Sequence, residues 1–441
     1  MIRATWVVGV VATAALTGRA QADGYAVEAQ ATTLLGTANA GKATLADGAT
    51  ILFANPAGLA RVRSSNLRFS LTGLQLAQHF QDQGSTSLLG DPATGARSQD
   101  GIRPAYVPAI AASMPITDHV VLGIGIQSQF GLVTDWGDTW VGRYHATRSE
   151  LFTLNVNPAV AWQVNEHVSL GLGLGIQYGR GELANRIDFG SIAVATLGPD
   201  VAAALDLSSQ QNDGTITVDG HDVDVGPTLG AEWRVSSHTR FGLGYRGQIQ
   251  HHLRGDADFD VPAEALPLTS TGQFADTRAT THILTPAVAS LGAHHDFNPR
   301  WAIVADATWV NWSAVEELAV TFDNPHQAPV ASPADWHDTV RLSAGVIHKP
   351  NDEWTVRGGF AYAPSPVPDR TRNARLADSD RLWFAGGASW AASKAVSIDF
   401  AYVYVRQDDA PIDFTSPLAG RIAGNVDWNV HVISFGVSSR F

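Results

Sequence analysis

The chain is written in period two. Val168, Leu170, Leu172, Leu174, Ile176 and Tyr178 form one face, and Ser169, Gly171, Gly173, Gly175 and Gln177 form the other. Phe241, Leu243, Tyr245 and Ile249 alternate with Arg240, Gly242, Gly244, Arg246, Gln248 and Gln250. Val396, Ile398, Phe400, Tyr402 and Tyr404 alternate with Ser397, Asp399 and Ala401. Successive residues of a strand point to opposite faces, so each run predicts a β-strand with one apolar side. Aromatics gather toward the ends of the apolar face, while glycine and charge take the other. A soluble sandwich rarely sets glycine and charge inside with aromatics at the outer rims. A barrel in lipid, apolar outward with aromatic girdles, does so by construction. A strand tilted ~45° crosses the bilayer in ~9–11 residues, and the run from 168 to 178 is long enough.

The connections strengthen this. Tight turns are expected at residues 116–119, 165–166, 236–237, 297–300, 350–352 and 392–393. Long polar loops are expected at 81–101, 133–147, 185–213, 256–276, 323–335, 364–379 and 408–425. The two sets alternate, as short periplasmic turns and long extracellular loops do in outer-membrane barrels. About fourteen strands result, an even number as expected for one bacterial chain. The chain ends Ile433, Phe435, Val437, Ser439, Phe441, an alternating strand with a terminal Phe. Such an ending suits the barrel assembly machinery as a partner. Within the long loops, alanine-rich residues 192–207 predict a short amphipathic helix and 263–268 another half-turn. Either these pack together as a greasy landing site or they cap the barrel.

Residues 23–62 break the rhythm. They are rich in Ala, Gly and Thr, with weak helical period and no sustained alternation. Ahead of an uninterrupted β array, such a segment either dangles or goes inside. The alternation of loop lengths brings it in from the periplasmic side, and glycine- and charge-lined inner faces give its small residues room. It is therefore expected to plug the lumen. Before it, Arg3, the apolar run from Trp6 to Leu16 and Ala20-Gln21-Ala22 read as a signal peptide spanning 1–22. The fold expected is thus all-β: a transmembrane antiparallel barrel over 63–441 with an N-terminal hatch at 23–62.

Composition narrows the function. Charged residues are 16% of the chain, and its net charge is −13. An acidic chain disfavours nucleic acid as a partner. No cysteine is present, which excludes a disulfide scaffold, a Cys-ligated metal and a Cys nucleophile. His251-His252 and His294-His295 invite a metal, but neighbours on a strand face opposite ways, so no metal and no cofactor are expected. Arg370, Arg372, Arg375 and Arg381, with Asp369, Asp378 and Asp380, read as a loop salt network or a lipopolysaccharide contact.

Several local patterns, in order along the chain, carry a family resemblance. They are Ala54-Asn55-Pro56-Ala57-Gly58-Leu59, Gly123 through Leu132, Trp140-Val141-Gly142-Arg143-Tyr144 and Asn157-Pro158-Ala159-Val160-Ala161. Late in the chain follow residues 333–339, 365–369 and 376–383. Together they resemble the FadL-type outer-membrane transporters of long-chain fatty acids and hydrocarbons. The resemblance implies a fourteen-strand barrel plugged by a hatch and capture of a hydrophobic molecule by extracellular loops. It implies transfer to an apolar pocket, and lateral exit beside a kinked third strand. Crossing an aqueous pore would expose a fatty acid at ~0.8 kcal/mol per methylene, and a side door into the bilayer avoids that.

The resemblance also suggests residues. Asn55, Pro56 and Ala57 match the hatch motif. Ser128, Gln129 and Gly131 fall at the kinked third strand, the lateral gate. Phe130, Arg143 and Arg180 are the substrate-binding candidates, with Phe130 pointing inward and Arg180 meeting a carboxylate. Strict alternation from Val168 puts Arg180 on the outer face, so it reaches the lumen only if the strand bulges near Gly179 or Gly181. The ninth strand carries no Lys or Arg between Arg300 and Arg341. A second basic clamp is missing there, which leaves room for an uncharged aromatic or alkane hydrocarbon.

The expected function is passive uptake of long-chain fatty acids or similar compounds by a monomer that is not an enzyme. Its partners are the hydrophobic small molecule, outer-membrane lipid and lipopolysaccharide. An outer-membrane lipase would need a Ser–His pair, and His167, His238 and His282 at strand ends have no matching serine pattern in Ser169 or Ser290. A general porin would not carry the plug.

Overall fold

The computed structural model describes residues 24–45, 48–101 and 104–441. The signal-peptide expectation and its cleavage site lie outside them. Fourteen antiparallel strands close into one barrel. They are β1 (Asn66–Asp82), β2 (Ala105–Pro115), β3 (Val120–Gln127 and Gly131–Asp135), β4 (Arg148–Gln163) and β5 (Val168–Asp188). Then come β6 (Asp213–Arg234), β7 (Thr239–Arg246 and Ile249–Asp260), β8 (Thr277–Thr285 and Val288–Asn298) and β9 (Trp301–Val310 and Glu317–Phe322). The remainder are β10 (Val330–Pro333 and Thr339–His348), β11 (Trp354–Ala363), β12 (Arg381–Ala391), β13 (Val396–Gln407 and Ala410–Ser416) and β14 (Gly420–Arg440). β1 pairs with β14 from Asn66↔Arg440 to Asp82↔Gly424, which closes the wall.

The outer face carries two aromatic rings. Trp162, Trp233, Phe241, Trp301, Trp354 and Trp390 ring the periplasmic end. Tyr106, Tyr178, Trp309, Tyr362 and Tyr404 stand about three turns of pleat higher, at the extracellular boundary of the apolar band. Aliphatic side chains such as Leu172, Leu243, Leu291 and Leu342 are exposed between them, as lipid requires. Among the described residues no helix is long and apolar enough to cross a membrane; strands do the crossing.

Some expected loops are strand. The 408–425 stretch is a hairpin, Ala410–Ser416 paired with β14, and β5 runs on to Asp188. Above the bilayer both faces of a strand meet water, so the apolar alternation fades although pairing continues. The helix expected at 192–207 is two, α1 (Phe189–Leu197) and α2 (Pro199–Ala204), split at Gly198. They pack against a 3₁₀ turn, Ala263–Thr271, through Phe189, Ala193, Ala202, Leu207 and Ala265.

Residues 24–45 and 48–62 lie inside the barrel, and the glycines of the inner faces show why. A Cβ at Gly171 of β5 would sit 2.2 Å from Ala57 N, and one at Gly244 of β7 would sit 1.9 Å from Ala54 O. The inner wall is bare where the backbone of this segment runs against it. Asn55 caps the 3₁₀ turn Pro56–Arg61 by accepting from Ala57 N at 3.1 Å. Its amide donates to Ala43 O at 2.8 Å and to Ala231 O of β6 at 3.1 Å. Pro56 starts that turn, where its missing N–H is no loss. Lys42 pairs with Glu28 at 3.1 Å, and Arg341 of β10 donates to Ala38 O at 3.0 Å.

The lumen is not polar all round, contrary to the inner faces read from β5 and β7. Ala109, Ala111, Val121, Ala159 and Ala161 on β2 to β4 form an apolar flank. Ile51, Leu52, Phe53 and Leu59 pack onto it.

Candidate functional site

Above the internal segment lies a cavity of about 600 Å³, within the range of small-molecule sites. Leu132 of β3, Leu151 of β4, Leu183 of β5 and Ile283 of β8 supply apolar wall. Val315 and Leu318 close it from the break in β9 and the strand above it, Trp336 from the break within β10, and Val367 and Leu376 from the loop between β11 and β12. Its floor is Tyr25.

Tyr25 is held from several sides. Gly131 N donates to Tyr25 O at 2.8 Å, and Val27 N donates to Gln129 O at 2.8 Å. These two bonds flank an antiparallel bridge between Ala26 and Phe130. The Tyr25 hydroxyl donates to Leu284 O of β8. Its ring meets Trp312 edge-on at 4.8 Å, Trp336 at 5.5 Å and Phe130 at 5.9 Å. Before it, Gly24 N donates to buried Asp378 Oδ2 at 3.1 Å. The start of the described chain thus ties together a strand break, the opposite wall and an extracellular loop.

That break is in β3, between Gln127 and Gly131, where the sequence places Ser128, Gln129 and Phe130. The β2–β3 ladder stops at Ile110↔Ile126. Above it, Ala105 to Ala109 pair only with β1. The backbone of the break is satisfied elsewhere. Phe130 N donates to Thr153 Oγ1 at 3.1 Å, and the same hydroxyl donates to Phe130 O at 2.7 Å. A buried backbone group costs free energy if left unpaired, so Thr153 and residues 25–27 substitute for the missing neighbour strand.

The three substrate-binding candidates do not meet in the cavity. Phe130 is fully buried and faces inward, with the Arg246 guanidinium 5.0 Å from its ring centre, but Tyr25 stands between it and the cavity. Arg143 is a loop brace. It bonds Asp213 Oδ2 at 2.7 Å, Tyr144 OH at 2.6 Å and Thr94 Oγ1 at 3.2 Å, which leaves little for a ligand. Arg180 points outward. The β4–β5 register runs unbroken through Gly179, Arg180 and Gly181, so no bulge turns it in. Its side chain is 48% exposed and lies 3.5 Å from Glu182. Alternation places it correctly, and the carboxylate role is not available to it from there.

Asn55, Pro56 and Ala57 sit far below the cavity, against β5 and β6, and anchor the internal segment. His251 and His294 face inward, against Gln177 Oε1 at 2.9 Å and Asp296 Oδ1 at 3.0 Å. Ser290 is buried while His282 is exposed, so they form no pair.

The cavity has a cation that the sequence does not single out. Arg372 and Arg381 pair with Asp369 and Asp378, as the salt-network reading expects, while Arg370 pairs with Asp335, and Asp380 accepts from Tyr362 OH and Ser365 N. Arg375 does not join that network. It donates to Ser149 Oγ at 3.0 Å, Asn185 Oδ1 at 3.1 Å and Arg148 O at 3.4 Å, all neutral, and it lines the cavity. Burial pushes its guanidinium down to about 10, so it stays charged at neutral pH. Burial, helped by that charge, pushes neighbouring His145 down to about 3, so this imidazole is neutral. The sequence groups Arg375 with its neighbouring arginines, and only the fold separates it from them.

A closed barrel with apolar bands, an internal segment and an apolar cavity under its loops is an outer-membrane transport barrel. The chain belongs to the outer membrane protein transport protein family (OMPP1/FadL/TodX), which it matches over residues 13–441. It is 27% identical over 426 residues to a long-chain fatty acid transport protein of Salmonella typhi, covering 92% of this chain and 94% of the relative. Its fold matches that of a Pseudomonas aeruginosa FadL homologue with a TM-score of 0.87 at 23% identity, over 95% of this chain and 100% of the other. The Pseudomonas putida toluene transporter TodX matches with a TM-score of 0.67 at 18% identity, over 89% and 94%. The chain is a protein of the Gram-negative outer membrane.

Proposed function

We propose that the protein takes up long-chain fatty acids passively across the outer membrane. The observation that carries this reading is the buried guanidinium of Arg375, in a cavity whose wall is mostly apolar and which Glu150, Glu316 and Glu317 also line. A carboxylate bound there would replace neutral partners with a charge-assisted bond, and the acyl chain would lie along Leu132, Leu151, Ile283 and Val315. The family and the fatty acid transport relative support the same class. Loop capture begins at the α1–α2 cap, where Leu197, Val201 and Leu266 stay exposed above a packed apolar cluster. Ligand filling the cavity competes with Tyr25 for its ring contacts. Once residues 24–27 leave the β3 break, the β2–β3 gap above Ile110 opens sideways into the bilayer.

An aromatic or alkane hydrocarbon is the second reading. It is favoured by the apolar wall and by β9, whose membrane-crossing half offers no lysine or arginine. Complementing a fatty-acid-uptake-deficient strain separates the two. Growth on limiting oleate and uptake of labelled oleate should both recover. Uptake of a hydrocarbon without any uptake of oleate would overturn the fatty acid assignment.

A further inference from the structure

The wall has a second break, across the barrel from β3. Below it, Val288 pairs with Val310, and Asn311 N donates to Ala287 O at 2.9 Å. Above it, the β8–β9 ladder resumes only at Thr281↔Val320. Between these points, residues 282–286 of β8 and 312–319 of β9 make no ladder pair with each other. Asn311 turns the chain inward, and Trp312 is fully buried against Tyr25. Glu316 O accepts from Ala334 N at 2.8 Å, on the far side toward β10.

The cavity runs into this break. Its lining includes Ile283, which faces the lumen, and also His282 and Leu284, which follow the outer face. Ala314, Val315 and Leu318 form the opposite jamb. No residue of β2 lines the cavity, so in this state its sideways extension is at β8–β9 and not at β2–β3. The break lies at the upper edge of the apolar band. Trp309, in the upper aromatic ring, stands two residues below Asn311. The break is closed from inside by Trp312 and by Tyr25, whose hydroxyl donates to Leu284 O.

We infer that the β8–β9 break is a second lateral window at the upper edge of the outer leaflet, through which the alkyl chain of a ligand held at Arg375 passes between lumen and lipid. This rests on the uptake reading for its ligand but not for its geometry. Tyr25 then serves both windows, its backbone at β3 and its hydroxyl at β8. An unpaired stretch of wall exposes backbone N–H and C=O groups, which lipid tolerates only where protein or a lined cavity shields them. Trp312 and Tyr25 supply that shield here.

The chain has no cysteine, so single labels are clean. A bimane on Val315→Cys, in liposomes containing brominated phospholipid, should lose a clear part of the fluorescence lost by one on Leu291→Cys at the lipid face. A bimane on Leu151→Cys, on the opposite cavity wall, should lose much less. Quenching at Val315 no greater than at Leu151 would overturn the window. The readout is independent of transport. Quenching intact in a protein that carries no fatty acid would sink the uptake reading and leave the window standing. The variants remove only a few methyl groups, and heat-modifiable migration in gels checks that each barrel is folded.

Discussion

Replacing Arg375 with leucine should lower binding and uptake of a long-chain fatty acid about ten- to a hundred-fold, and leave the matching alcohol or alkane nearly unchanged. The size follows from the bond lost. A hydrogen bond to a charged group contributes about 1.5–3 kcal/mol, and each 1.4 kcal/mol is tenfold in affinity. The selectivity follows from the lining, because Leu132, Leu151, Ile283 and Val315 do not distinguish an acid from an alcohol. Arg375→Lys should recover part of the loss, since it keeps the charge but not the planar fork that also reaches Ser149 and Asn185. Isothermal titration or a competition assay with paired ligands decides it. Equal losses for acid and alcohol would show that Arg375 only shapes the cavity.

The second large effect concerns the internal segment. Gly171→Val should dislodge residues 24–62 and turn a tight barrel into a leaky one. Its Cβ would stand 2.2 Å from Ala57 N and 2.4 Å from Pro56 C, both backbone atoms that cannot rotate aside. Overpacking a core costs about 1–3 kcal/mol where side chains can yield; here the whole Asn55–Ala57 anchor has to move. Gly173→Val is the control. It faces the same way two residues on, and its nearest neighbours are the Asn157 amide and Pro158 O, both at 3.1 Å. Planar-bilayer recordings should show large steady currents for Gly171→Val and wild-type behaviour for Gly173→Val. Closed traces from both would mean the segment can shift without opening the lumen.

These two sites differ in how far the sequence discloses them. The glycine wall was legible, because period two puts Gly171, Gly173 and Gly175 on one face and the apolar row on the other. Arg180 obeyed the same period, and its outward placement is what strict alternation requires. Alternation assigns a face but says nothing about height or azimuth. The cavity is assembled from β3, β4, β5, β7, β8, β9 and β10, from the breaks within β9 and β10, and from the loop between β11 and β12. Its closing bonds join residues 259 and 354 positions apart, Tyr25 to Leu284 and Gly24 to Asp378. No local pattern carries that information. The strand extensions were missed for a different reason: outside the bilayer, pairing persists without an apolar face. The β9 break was missed because Asn311 through Glu316 reads as an ordinary end of a strand, and only the inward Trp312 reveals it as part of the wall.

On the proposed mechanism, residues 24–27 must leave the β3 break before ligand can pass. Ala26 and Phe130 form a non-hydrogen-bonded antiparallel pair, flanked by the Val27–Gln129 and Tyr25–Gly131 bonds. Such pairs hold their Cα atoms ~4.5 Å apart, within disulfide reach. The double variant Ala26→Cys, Phe130→Cys, in a chain with no other cysteine, staples the two in place. Labelled oleate uptake should be lost in the oxidised protein and return on adding reductant. Undiminished uptake through the oxidised staple would contradict the claim.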